Sequence, residues 1–150
     1  MNTVVNAQDG KDAVKPSRLD LWRAERKLAM ARAALEANRT AWAWFAAHEA
    51  AELAARAIHR NGNGRERMVA RLLLHAADHV SVPEELIRKA ALLDNHYIPH
   101  QNGHSLTPPD RTAVQRQAEV MLGDPTAPGS EIAVETAEEI VAFARGVVKR

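Results

Sequence analysis

The stretch from Asp94 to Ser105, DNHYIPHQNGHS, holds three of the chain's seven histidines and its one tyrosine. His96, His100 and His104 stand four residues apart. On one continuous helix that spacing would nearly align three imidazoles, which with Asp94 could hold an ion such as zinc. Pro99 disfavours helical geometry at Ile98, and Gly103 interrupts the chain again, so no single helix carries all three rings. No metal ligands and no cofactor are assigned on this basis.

A second chemistry is RNA cleavage. It needs an imidazole near the 2′-hydroxyl or the leaving oxygen and a cation beside the phosphorane. The arginine and histidine pairs that come near to this are Arg67 with His75 and Arg88 with His96, each with seven residues between, and Arg71 with His75, with three. The plainer reading leaves Arg88 on a solvated helix face and His96 at a helix end. Tyr97 continues an apolar stripe, which points to a core ring with its hydroxyl at the rim. Glu52 precedes Arg56 by four residues, the favourable order for an ion pair on a helix. That pair either sets helix register as a polar network or lines a polar cleft at a dimer interface. Trp42, Trp44 and Phe45 point in different directions from one helix and suit core and interface packing better than a platform for stacked bases.

These residues must be positioned by helices. The chain has 150 residues, 46% hydrophobic and 26% charged, which is enough apolar material for one domain with a core. Aromatic residues make up only 4%, so the core is built from Ala, Leu, Val and Ile, a composition that favours an all-α fold. The absence of cysteine removes disulfides, thiolate nucleophiles and Cys-based zinc sites, and suits a reducing cytoplasm. No apolar signal core opens the chain and nowhere do 18 residues pass without a charge, so neither secretion nor a membrane span is expected. A formal net charge of +1 describes no broad basic field for sequence-independent capture of nucleic acid.

Residues 1–16 lack periodicity and are expected to form a flexible tail. Residues 17–150 form the domain. Ser17 and Asp20 make a capping-box-like start, and Leu21, Ala24, Leu28, Ala31 and Leu35 recur at helical spacing. Thr40 is the expected cap of a second, most deeply buried helix that stops at Asn61-Gly62-Asn63-Gly64. A third helix follows with Met68, Val69, Leu72, Leu73 and Ala76 on one face and ends near Val80. Ser81, Pro83 and Glu84 start a fourth, with the stripe Leu86, Ala90, Leu93 and Tyr97. Residues 99–130 are rich in Gly and Pro and read as a long loop with one possible short helix from Asp110 to Leu122. Ser130 opens the last helix, whose stripe is Ile132, Thr136, Ile140, Phe143 and Val147. The expectation is an up-and-down bundle of four to five helices.

Three stretches, in this order and spacing, resemble the HEPN family of small helical proteins. They are FAAHEAAELAARAI in the second helix, LLDNHYIP before the long loop, and AEEIVAFA in the last helix. The resemblance spans about residues 17 to 150 and implies a HEPN-like bundle and a homodimer. It further implies a cytoplasmic, prokaryotic setting beside a minimal nucleotidyltransferase, in which members act as RNA-cleaving toxins of toxin-antitoxin pairs or as nucleotide-binding accessories. Under it, Tyr97 would accept a nucleotidyl group, and Asp94, His100, His104, Glu52 and Arg56 are the residues expected around a ligand or modification site. Many relatives continue from Tyr-Ile-Pro with x-Arg-Tyr-Pro, where this chain reads His100-Gln101-Asn102-Gly103. The ribonuclease members carry Arg and His with four to six residues between them, and no such pair occurs here. The expectation is therefore an accessory or toxin-antitoxin component acting with a nucleotidyltransferase on RNA or nucleotides. The alternative is a metal-independent endoribonuclease with a divergent site at Arg88 and His96, which the two-fold dimer implied by the resemblance could present from both chains at one cleft.

Overall fold

In the computed structural model the described residues are 17–59, 66–95 and 129–149. They form five helices and no strand: α1 Arg18–Glu36, α2 Thr40–Ile58, α3 Val69–Ala76, α4 Glu84–Asn95 and α5 Ser130–Val148. The all-α bundle expected from the periodicity is therefore the observed fold. The tail expected over 1–16, and the loop expected from 99 with its short helix at 110–122, lie outside the described residues.

The first helical hairpin is closed by backbone chemistry. Asn38 adopts a φ of 59°, a left-handed conformation that asparagine tolerates better than most side chains. The Arg39 N–H then reaches back to the Ala34 carbonyl at 2.8 Å and the Asn38 N–H to Leu35 at 3.0 Å. This pair of bonds satisfies carbonyls that the end of α1 would otherwise leave open. At the other end of the hairpin the Ser17 N–H donates to the Ala57 carbonyl at 2.8 Å, so α1 and α2 are tied at both ends. The Ser17 hydroxyl accepts from the Asp20 N–H at 3.1 Å, which is the cap its spacing predicted.

Helix α2 packs against all four other helices. Its twelve buried residues include Trp44, Phe45, His48 and Ile58, and the other eight are alanines. A helix so poor in bulk lets α1 and α5 approach from two sides while α3 and α4 cover a third. Burial of α1 follows the expected seam, Leu21, Ala24, Leu28 and Ala31. In α5 the expected stripe holds at Thr136, Ile140 and Val147, which are buried, and fails at its other two positions: Ile132 is 56% exposed and Phe143 is half-buried, while Ala133, Ala137, Val141 and Ala144 are covered. The small residues win these positions because they allow α5 to lie close to α2.

Two expected caps are also revised. Arg39, not Thr40, occupies the N-cap of α2, and no side-chain hydrogen bond closes that end. The preceding hairpin already orients the chain there, so a hydroxyl cap is dispensable. At α4 the Pro83 carbonyl accepts from Leu86 and Ile87, which places the proline at the cap where its missing donor costs nothing. Lys89 of α4 meets Glu139 of α5 at 2.9 Å, an ion pair that joins the two helices at the surface. Among the described residues no helix is long and apolar enough to cross a membrane.

Candidate functional site

The end of α4 is held by a buried polar node. The Asp94 carboxylate is 5% exposed and the His48 ring of α2 is fully covered. His48 Nε2–H donates to Asp94 Oδ1 at 3.1 Å. The Val69 N–H donates to the same oxygen at 2.9 Å and the Ala70 N–H to Oδ2 at 2.9 Å. Helix α3 has no cap from its own chain neighbours, since Met68 at its N-cap makes no side-chain bond. Asp94 supplies that cap from a distance of 25 residues. The negative carboxylate also suits the positive end of the α3 dipole. Because α2, α3 and α4 all meet at this one side chain, the last turn of α4 is fixed just where the chain leaves toward His96.

Glu52 and Arg56 form the pair that their spacing predicted, Arg56 Nε–H donating to Glu52 Oε2 at 3.1 Å. A second N–H of Arg56 donates to the Glu66 carbonyl, and Arg67 lies 3.7 Å from the same Glu52 oxygen. The Glu66 side chain in turn accepts from the N–H groups of Arg67 and Met68, at 3.1 and 3.0 Å. The network ties α2 to the residues that lead into α3, and these contacts all lie within the chain.

One turn earlier, Glu49 lies 3.6 Å from Lys27 of α1. Burial raises its affinity for a proton above the ordinary value near 4.5, Lys27 opposes this, and Glu52 adds to it. The raised value gives a definite sign. Above it the folded state holds a carboxylate that burial disfavours. As the pH falls through it toward 4.5, the folded state gains a proton before the unfolded one and the cost is relieved. Glu49→Gln is therefore expected to melt higher than the unaltered chain at pH 7, with the gap closing below pH 4.5. Thermal melts across pH 4 to 7.5, in steps of about half a unit, check this, and an unchanged gap refutes it.

Arg88 is exposed on α4 and bound to Glu85 one turn before it. Both line an open groove between α4 and α5. Leu92, Leu93 and Ile132 form its floor, while Arg88, Lys89, Glu85, Glu135 and Glu139 form its rims. Leu92 and Ile132 are 44% and 56% exposed, an apolar floor open to solvent. The rims carry three carboxylates against two cations, and Lys89 is engaged by Glu139. Such a surface suits a protein chain better than a phosphate backbone.

Of the residues singled out from the sequence, the structure brings Glu52 and Arg56 together, buries Asp94 in the α2–α3–α4 node, and places Arg88 on the groove. His96, Tyr97, His100 and His104 lie outside the described residues. Trp44 and Phe45 are core residues, whereas Trp42 is 41% exposed. No group of three or more His, Asp or Glu side chains among the described residues is arranged to hold a metal ion. Sequence reasoning passed over His48. Its one signal was a lone imidazole within a run of alanines, four residues after Trp44, whose ring it stacks on at 4°.

The comparisons agree with this architecture. Residues 19–149 match the HEPN domain family. The protein TT1696 from Thermus thermophilus superposes with a TM-score of 0.62 at 30% identity, over 86% of this chain and 95% of that one. A HEPN domain protein from Thermotoga maritima superposes with a TM-score of 0.61 at 22% identity, over 89% of this chain and 99% of that one. At that identity the second likeness speaks for the fold alone. No curated protein matches the chain.

Proposed function

The chain belongs to the HEPN domain family, and from that premise we propose that it is a dimeric accessory module that binds a partner chain rather than cutting RNA itself. The partner is a minimal nucleotidyltransferase of the same cytoplasmic toxin-antitoxin or nucleotide-handling pair. The α4–α5 groove carries this reading. Its apolar floor and mixed, net acidic rims fit a protein helix or strand, and they repel the phosphates that a nuclease must gather. The self-association that the family resemblance implies is supported by another face. Trp22, Met30 and Trp42 stand 54%, 56% and 41% exposed along the outer side of α1 and α2.

The competing reading is a ribonuclease built on Arg88 and His96. In that reading the pair comes together across the two subunits of a dimer; six residues of α4 lie between Arg88 and Asn95, a span of about 10 Å along the helix axis. The test is direct. The purified protein is expected to leave RNA intact and to scatter light as a dimer at micromolar concentration. It is also expected to co-purify with the adjacent nucleotidyltransferase, an association lost in Ile132→Glu and kept in Arg88→Ala and His96→Ala. RNA cleavage by the unaltered chain that vanishes in His96→Ala would overturn the proposal.

A further inference from the structure

Two imidazoles face each other away from the groove. His59 is the residue that closes α2, its backbone N–H bonded to the Arg56 carbonyl at 3.2 Å. His75 stands in the last turn of α3. His59 Nε2 and His75 Nδ1 are 2.9 Å apart, and the rings tilt by 40° with centroids 5.0 Å apart. Two nitrogen lone pairs cannot meet at that distance with nothing between them. In the metal-free chain an N–H of one ring fills the gap and donates to the other.

A Lewis acid can take the place of that proton. Two imidazole nitrogens bound at about 2.0–2.1 Å on neighbouring corners of a square or octahedron lie about 2.9 Å apart, and on a tetrahedron about 3.3 Å. We propose that His59 and His75 form a two-imidazole binding site for a late first-row divalent cation, Cu2+ before Ni2+ or Zn2+, with water completing its coordination. Right-angled ligation by nitrogen is the geometry of Cu2+ and Ni2+, and Cu2+ leads the affinity order. Hard ions such as Mg2+ and Ca2+ need a set of oxygen donors, which two imidazoles do not supply.

The surroundings support the assignment. Burial first, then His75 and Arg56, lower the proton affinity of His59 below its ordinary value, which makes its lone pair easier to offer to a cation. His79, one turn beyond His75, acts on His59 in the same direction, and Glu66 acts in the opposite one. Both ligands are borne on separately fixed elements, α2 by its packing and α3 by Asp94. Binding therefore adds a clamp between α2 and α3 and stabilises the fold.

The experiment uses the full chain without a histidine tag, titrated calorimetrically with CuCl2, NiCl2, ZnCl2 and MgCl2. One Cu2+ per chain is expected, no Mg2+ binding, and a rise in melting temperature with Cu2+. Electron paramagnetic resonance of the Cu2+ complex should show coupling to two imidazole nitrogens. His59→Gln and His75→Gln should each weaken binding by more than about tenfold, while an alanine triple variant of His96, His100 and His104 binds as before. Circular dichroism confirms that each variant is folded. The proposal fails if Cu2+ binding survives His75→Gln, if it disappears in the triple variant instead, or if the resonance shows fewer than two nitrogens. The last readout needs no substitution and stands even if a variant fails to fold.

Discussion

Asp94→Ala is expected to lower the unfolding free energy by about 3–5 kcal/mol, a large part of the 5–15 kcal/mol that roughly holds a domain together. The carboxylate accepts from His48, Val69 and Ala70 in a site that is 5% exposed. Its removal leaves three donors facing a gap, and each buried orphan costs about 1–3 kcal/mol. Helix α3 suffers most, because Asp94 is the side chain that caps it and eight residues are too few to persist without tertiary support. Asp94→Asn keeps one acceptor oxygen but turns an amide N–H2 toward a donor, so it is expected to recover less than half of the loss. Urea unfolding followed by circular dichroism measures both. A loss below about 1 kcal/mol would mean that these donors find other partners.

Trp44→Ala is expected to cost about 3–5 kcal/mol, the range for deleting a large buried aromatic. Trp44 is the largest fully covered side chain, and it stacks on His48 with ring centroids 6.2 Å apart. The deletion opens a cavity beside the polar node and takes away the apolar wall that shields the His48–Asp94 hydrogen bond from water. Alanine-lined helices cannot close the gap by rotating side chains, since their neighbours have none long enough. Trp44→Phe leaves a smaller void and should lose less than half as much. Chemical denaturation checks the pair, and equal losses in the two variants would place the effect in the indole N–H rather than in packing.

The helices were legible because their periodicity comes from local spacing. The seam Leu21, Ala24, Leu28 and Ala31 and the Ser17 cap need only residues a turn apart to be read. Depth was legible too: a helix as poor in charge as α2 has nowhere to lie but the centre. Ile132 escaped this reasoning because alanine and isoleucine compete for the buried stripe of α5, and only the distance to α2 decides between them. The Glu52–Arg56 pair was visible at four residues. The His48–Asp94 pair was not, because 46 residues separate its members and nothing local marks either as the other's partner. His59 and His75 escaped for the same reason. They sit 16 residues apart, one closing α2 and the other in the last turn of α3, and nothing local marks either as the other's partner.

Helix α3 takes its N-terminal cap from Asp94 of α4, 25 residues further along the chain. A cap borrowed from the next residue in sequence can form whether or not the rest of the molecule is folded. This one exists only while α3, α4 and His48 of α2 are all in place. Helix α3 is therefore conditional on its neighbours, and an opening of α4 releases both, so the two helices behave as one cooperative unit.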